Sequence, residues 1–379
     1  MNNPATDAVA LTRELIRFDT VNPPGQERRC AEYLAELLHG AGFEISLREL
    51  SPDRCNLIAT PPRAPAGAPI VFTGHIDVVP LGTRAWKYEP FAAELIDGRV
   101  HGRGSSDMKS GVAAFVCAAL QTARDATPPN VKLVITAGEE TGCSGAAALV
   151  AEGGVGPAAA MVVGEPTANA VCAGHKGALW LTAVTTGVTA HGSMPERGVN
   201  AIYKAARVVG RLESYAFDAA PHAALGRATL SVNTIHGGIN INSVPDRTEI
   251  GIDIRTVPSV DHAALRQALQ ERVGDDARIE AFLDLPGIWT SPELDWVKRV
   301  TGIASEVTGA ALTPGAATYF TDASVLAPAM GQPSTVILGP GEPGQAHQTD
   351  EWCSAARIGE AVDIYARIMR DWAHRHADR

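Results

Sequence analysis

The sequence predicts an α/β protein into which a smaller ferredoxin-like unit is inserted, and three observations carry that expectation. Strand-like and helix-like segments alternate from Phe43 to Pro166, which implies a sheet covered by helices on both faces. From about Lys176 the order becomes strand, helix, strand, strand, helix, strand, as in a split βαβ unit. After Leu285 the α/β texture returns. A chain of 379 residues is also too long for one ordinary core. Residues 1–175 and 286–379 are therefore expected to form one discontinuous domain, with 176–285 as the insert.

The elements follow in order. Two helices are expected around "DAVALTRELIRF" and "ERRCAEYLAELLHGAG", separated by the breaker "VNPPGQ" and closed by glycine. Then come the strand "FEISLREL", the strand "IVFTGHIDV", a helix after Met108, the strand "VKLVITAG", a helix after Ser144 and the strand "AAAMVVGEP". "PPRAPAGAP" is a proline-rich surface turn, too short to separate domains. In the insert, "ALWLTAVTTGV", "RATLSVNTIHGG", "TEIGIDIRTV" and "ARIEAFLDL" are strands, with helices at 199–212 and over "DHAALRQALQERV". Beyond it lie the strand "STVILGPG" and a last helix over 354–374. No repeat or low-complexity tract is present.

Composition excludes several classes. Hydrophobic residues at 45% and charged residues at 20% describe a globular chain, neither disordered nor membrane-spanning. A net charge of −10 gives no footprint for nucleic acid or an anionic membrane, and leaves small cationic or zwitterionic ligands open. The N-terminus lacks the basic and apolar regions of a signal peptide, and "GVAAFVCAAL" is too short to span a bilayer, so a cytoplasmic location is expected. Cysteines 30, 55, 117, 143, 172 and 353 form no C-x-x-C pair and are expected to be free thiols, with Cys117 in the core.

Polar residues cluster at strand ends, where open α/β sheets build their sites. His75 and Asp77 stand two apart and so on one face of a strand, the carboxylate placed to fix the imidazole's tautomer. Asp107 follows in "GRGSSDMKSG", Glu139 and Glu140 in "TAGEETG", Glu165 in "VVGEPT" and His347 in "GQAHQTDEW". Singly, each has a plain explanation: a satisfied core histidine, a helix cap or a solvated loop acid. Together they are a metal-ligand inventory. Two histidines and three carboxylates suit zinc or a similar divalent ion and exceed what one tetrahedral ion needs. Two ions about 3.5–4 Å apart require a bridging ligand, a part a carboxylate can play and an imidazole cannot, and Asp107 in its glycine-rich loop is the natural candidate.

The segments "GHIDVVP", "HGRGSSDMKSGVAA", "TAGEETGCSGA", "VVGEPT", "AHGSMPERGVNAI" and "GQAHQTDEW" occur in this order across nearly the whole chain. As a set they resemble the zinc-dependent amidohydrolase and peptidase family that includes acetylornithine deacetylase, succinyl-diaminopimelate desuccinylase, aminoacylase and glutamate carboxypeptidase. The resemblance implies an aminopeptidase-like di-zinc catalytic domain with the insert serving as a dimerisation or lid domain. It implies that His75 and Glu165 hold one metal, Glu140 and His347 the other, and that Asp107 bridges them while Asp77 orients His75. It makes Glu139 the general base that takes a proton from the attacking water and returns it to the leaving amine. By the same resemblance His191 stabilises the oxyanion of a substrate bound to the neighbouring subunit, and Asn242 and Arg255 hold the substrate. For Arg255 the plainer alternative is a surface ion pair. "ATYFTDASVL" resembles the family's threonine–aspartate loop near the substrate, which gives Asp322 a substrate-side role. It departs from the glycine- and serine-rich version of the desuccinylases, which favours general deacylation of N-acyl amino acids over succinyl-diaminopimelate hydrolysis.

The expected activity is thus metal-dependent cleavage of the amide of an N-acyl amino acid or similar small amide. The cofactors implied are two divalent ions, zinc first, with cobalt and manganese accepting overlapping ligands. A carboxypeptidase or dipeptidase would use the same centre on a peptide bond, and a silent metal- or ligand-binding relative would keep the ligands but need no Glu139. A homodimer is expected because the edge strand of the insert can pair with its own copy.

Overall fold

The four central strands of the larger sheet run parallel, and that one fact places the site. The protein's structure, a computed structural model, describes residues 7–62, 65 and 67–376. Of the proline-rich turn, Arg63, Ala64 and Ala66 lie outside the described residues, as do the first six residues of the N-terminal segment. The chain divides into two units: Met1–Gly174 with Trp289–Ala316 and Thr321–Arg379, and His175–Ile288 with Ala317–Phe320. The second unit takes in the return 317–320, where the Phe320 ring meets Trp180 edge-on at 6.2 Å.

In the first unit the sheet order is Glu44–Ser51, Arg54–Thr60, Val131–Thr136, Ile70–His75, Ala160–Val163, Ser334–Ile337, Cys172–His175. Val131–Thr136, Ile70–His75, Ala160–Val163 and Ser334–Ile337 are mutually parallel. Such strands are covered on both faces and read as unbroken apolar runs, and no position of Ile70–His75 is exposed. On one face Phe72 packs against Phe115 of the helix Ser110–Thr122 and edge-on against Tyr365 of the last helix, Ala355–His376. Parallel direction makes the chain leave all these strands at one edge. His75 ends one strand, Glu139 and Glu140 follow the second, and Glu165 follows the third.

The second unit is a four-stranded antiparallel sheet in the order Thr229–Gly237, Arg247–Thr256, Gly177–Thr186, Arg278–Leu285. Numbered along the chain this is 2-3-1-4, the ferredoxin-like arrangement. Alternate residues Leu179, Leu181, Ala183, Ile250, Ile252 and Ile254 are buried under the helices Ala201–Glu213 and His262–Val273. Asn200 and Asp261 cap those helices by accepting from the first-turn N–H groups, which is why each begins where it does.

Besides several short strands such as Cys172–His175, two helices and one longer strand escape a reading of the sequence. The strand Arg54–Thr60 follows its neighbour after a two-residue turn, so the pair reads as one irregular segment. The helix Asp295–Thr308 is rich in valine and threonine, residues with modest helix propensity, and gains its stability by burying Trp296, Val297, Val300, Thr301 and Ala304. The helix Ala323–Ala329 is too short to show a period. All six cysteines are free, and Cys117 is fully buried.

A close approach of backbones holds the helix Ser110–Thr122 to the sheet: a Cβ on Gly111 would overlap the carbonyl oxygen of Gly164. Neither side yields easily, because one lies in the first turn of a fully packed helix and the other follows a central strand. Gly111→Ala is expected to destabilise the protein by about 1–3 kcal/mol through overpacking. Thermal unfolding read by circular dichroism checks this, and an unchanged midpoint would mean the two backbones separate freely.

Candidate metal centre and active site

His75 is 1% exposed at the end of its strand. Its Nδ1 lies 3.0 Å from the carbonyl oxygen of Asp77, which can only accept, so the ring proton sits on Nδ1. In the neutral ring Nε2 is left with a lone pair, and although burial opposes it, Glu165, Asp107 and Asp77 raise the ring's affinity for a proton well above the ordinary range. That lone pair faces Asp107 Oδ1 at 3.3 Å and Glu165 Oε1 at 3.5 Å. Three acceptors turned toward one another repel unless a proton or a cation stands among them.

The Asp77 carboxylate ties this histidine to the acidic loop beyond it. Oδ1 lies 3.4 Å from His75 Nδ1 and accepts the backbone N–H of Glu139 at 3.1 Å, while Oδ2 accepts the N–H of Glu140 at 3.2 Å and the Asn22 amide at 2.8 Å. Hydrogen bonds of this number favour the ionised form, so the carboxyl stays below its ordinary range although burial pushes it upward.

Asp107 is presented by the loop that Gly104 opens with a left-handed φ of 84°. Glu351, fully buried, accepts from the N–H groups of Gly104 at 2.9 Å, Ser106 at 2.8 Å and Asp107 at 3.0 Å, and pairs with Arg103 at 2.7 Å. His347 stands over the other side, its side chain 55% exposed, with Nε2 at 3.1 Å from Glu140 Oε2 and 3.4 Å from Asp107 Oδ2.

The ligand atoms of His75, Asp107 and Glu140 lie within 4.8 Å of one another, as do those of His75, Glu139 and Glu165. Glu140 Oε1 is buried without a partner. Burial drives the Glu139 and Glu165 carboxyls well above their ordinary range against the opposing pull of His75, and pushes Glu140 up to about 6. Hydrogen bonds to Asp107 and Glu140 push His347 up to about 10. The carboxylates of Asp107, Glu139, Glu140 and Glu165 therefore crowd together with the imidazoles of His75 and His347, buried except on the His347 side. The donor set fits divalent cations bound by oxygen and nitrogen.

The remaining sequence-derived positions fall elsewhere. His191 and Asn242 come together in the second unit, exposed: His191 pairs in register with Ser243, and Gly192 N–H donates to the Asn242 carbonyl at 2.7 Å. His191 Nδ1 accepts the Ser193 backbone N–H at 3.2 Å, which leaves the proton of a neutral ring on Nε2. Arg255 is engaged with Asp253 at 2.9 Å and lies 5.8 Å from the Trp180 ring centroid, the ion-pair arrangement rather than an open fork. Asp322, expected on the substrate side, is 2% exposed in the first unit. It accepts from Thr136 Oγ1 and from the Cys143 thiol, and burial pushes it up to about 6.

Asn22, Arg103 and Glu351 were not legible as functional. Asn22 lies in "VNPPGQ", which reads as a breaker, and Glu351 lies beside Asp350 in a polar stretch where nothing distinguishes the buried acid from the surface one.

A cluster able to hold cations at the carboxyl edge of an α/β sheet, with a buried carboxylate beside it, is the arrangement a metallohydrolase requires. The sequence profile described as peptidase family M20/M25/M40 matches residues 71–371, and the chain belongs to that family. A succinyl-diaminopimelate desuccinylase of Cereibacter sphaeroides is 32% identical, covering 97% of this chain and 99% of the relative. A probable succinyl-diaminopimelate desuccinylase of Staphylococcus epidermidis is 26% identical over 96% of this chain and 97% of the relative. Among solved structures, the M20 family metallo-carboxypeptidase Sso-CP2 of Sulfolobus solfataricus superimposes with a TM-score of 0.82 at 18% identity, covering 99% of this chain and 100% of that one. A dinuclear metal-binding peptidase of the M20 family from Bacillus subtilis gives 0.72 at 14% identity, with 97% of each chain covered. The protein is a hydrolase of amide bonds, and its family and donor set support divalent metal ions as cofactors. Among the described residues no helix is long and apolar enough to cross a membrane.

Asp77→Asn removes the anion and turns an amide N–H₂ toward donors already in place. Divalent-ion affinity, measured by calorimetry on the apoprotein, is expected to fall about 10–100-fold with the fold retained. Unchanged affinity would mean that Asp77 holds no ligand in place.

Proposed function

We propose that the protein removes the acyl group from an N-acyl amino acid, using two zinc ions held by His75 and Glu165 on one side, Glu140 and His347 on the other, and Asp107 between them. When bound, the ions would polarise the amide carbonyl and lower the pKa of water. The observation that carries the reading is Glu139. It is buried, its backbone is fixed by Asp77, and burial raises its affinity for a proton. Glu139 takes the proton from the attacking water, the C–N bond breaks, and the same proton passes to the departing nitrogen, which leaves as an amine. Glu139 also offers a ligand atom beside His75 and Glu165, so a near-isosteric replacement is the discriminating change.

The curated relatives make a succinylated diamino acid the first substrate to try, with acetylated amino acids and dipeptides as the other arms. Arg255 and Asn242 are the proposed substrate-side groups. A substrate carboxylate would have to displace Asp253 from Arg255. Glu139→Gln is expected to keep its metal and lose about 10²–10⁴-fold in kcat on whichever substrate wild type turns over. Metal retained with near wild-type kcat would remove Glu139 from the role, and turnover persisting after chelation to metal-free protein would remove the mechanism.

The second part of the proposal is a homodimer in which His191 of one subunit serves the other's site. Thr229–Gly237 is an edge strand with one side unpaired, and Ile235, Ile239 and Ile241 beside it are exposed, a combination that an identical strand would cover. The proton on His191 Nε2 is the donor form an oxyanion requires. His191→Ala should lower kcat about 10²-fold or more with a smaller change in KM. Mixing it with Glu139→Gln under subunit exchange should restore activity, because some sites regain both groups. Verified exchange without recovery, or an active monomer, would rule out sharing in trans.

A further inference from the structure

We propose that Glu351, through its pair with Arg103, is a positioning residue that fixes the Asp107 loop against the His347 segment and so sets the affinity of the metal position on the His347 side; this rests on the ligand assignment proposed above. Glu351 has no exposed surface, and both its oxygens are used. Oε1 accepts the N–H groups of Ser106 and Asp107, and Oε2 accepts that of Gly104 and the Arg103 guanidinium. Three backbone donors within four consecutive residues, those of Gly104, Ser106 and Asp107, gather around one carboxylate and fix the path of the backbone into Asp107. Arg103 carries the restraint onward. The same nitrogen that meets Glu351 donates to the carbonyl of Gln348 at 3.1 Å, the residue after His347, and its other terminal nitrogen reaches the Pro80 carbonyl at 3.3 Å.

The two sides of the centre are therefore supported unequally. His75 sits on a buried central strand with Asp77 behind its ring, so its place is fixed without Glu351. His347 lies on a half-exposed loop in a left-handed conformation, φ 63°, and its ring meets only Glu140 and Asp107 among the described contacts. The Arg103–Glu351 pair joins that loop to the backbone of Asp107 by charge-assisted bonds, beside the neutral ties of Ser106, whose hydroxyl donates to the Trp352 carbonyl at 2.8 Å and accepts the Glu342 N–H at 2.9 Å. Glutamine at 351 would present an amide N–H₂ to a set of donors, and aspartate would keep the charge but fall short of bonding all of them at once.

The test titrates Zn²⁺ and Co²⁺ into apo wild type, Glu351→Gln, Glu351→Asp and His347→Ala by calorimetry, and records the visible spectrum of the cobalt forms. Outer residues of this kind are worth about 10–100-fold in metal affinity. The expected result is one ion bound as in wild type and the other weakened about 10–100-fold in Glu351→Gln and less in Glu351→Asp, with a changed cobalt spectrum for the second ion alone. If Glu351→Gln does not yield folded protein, Glu351→Asp decides alone. Wild-type affinity for both ions in a folded variant, or equal weakening of both, overturns the proposal. His347→Ala separates the two ways of failing: two wild-type ions in that variant sink the ligand assignment itself, whereas loss of one ion there with none in the Glu351 variants sinks only the clamp.

Discussion

The carboxylate of Asp77 is the point on which the site's geometry depends. It is fully buried, and four groups converge on it: the Asn22 amide, the backbone N–H groups of Glu139 and Glu140, and the His75 ring. A buried carboxylate is tolerated only when its lone pairs are used, and here they are used by parts of the site itself. The strand ending at His75 and the loop after Thr136 are parallel neighbours, so their ends already lie side by side. Asp77 converts that adjacency into a fixed distance between His75 and Glu139, the proposed ligand and the proposed base.

The second constraint is charge. Asp107, Glu139, Glu140, Glu165 and Asp322 crowd the same buried region, and burial raises Glu139, Glu165, Glu140 and Asp322 while Asp107 alone is held low by its histidine contacts. Like charges that close cannot all ionise without compensation. Divalent ions would supply it, and the fold meets two other buried acids from within the protein, Glu351 with Arg103 and Asp77 with hydrogen bonds. The acids facing the cluster are left to the proposed cations. This division explains why Glu140 retains a buried oxygen with no protein partner.

Where the sequence was legible, period and position agreed. His75 and Asp77 share a strand face, and Glu139, Glu140 and Glu165 follow apolar runs too short to be helices, so strand ends could be identified without a partner in view. The ferredoxin-like order of the insert was legible for the same reason, its strands alternating and its helices opening at Asn200 and Asp261. What was not legible depends on contacts far apart in the chain. Glu351 acquires its role from loop N–H groups some 245 positions earlier, and nothing local separates it from Asp350. Asp322 was placed by likeness of its loop, but its burial follows from Thr136 and Cys143, which reach it only in the folded sheet. Arg255 shows the reverse: the plainer alternative, an ion pair, required no distant contact, and its partner in the structure is Asp253, two residues away on the same strand face.

A second string of groups shows why chemistry needs access as well as order. In the inserted unit, Thr256 Oγ1 lies 2.7 Å from His262 Nε2, and His262 Nδ1 lies 2.6 Å from Asp284 Oδ1, the hydroxyl–imidazole–carboxylate sequence of a nucleophile triad. Thr256 is fully buried, and a Cβ on Gly177 would overlap its hydroxyl, so no substrate carbon can approach that oxygen. Because Thr256 and Asp284 stand near the ends of two strands and His262 opens a helix, the string pins three elements together at the base of the unit. The candidate metal centre differs in the feature that matters: its acceptors converge on one another, Glu140 Oε1 has no protein partner, and His347 on one side remains open to solvent. Hydrogen-bond order alone describes both clusters, whereas unfilled valence beside an open face belongs only to the one at the edge of the parallel sheet.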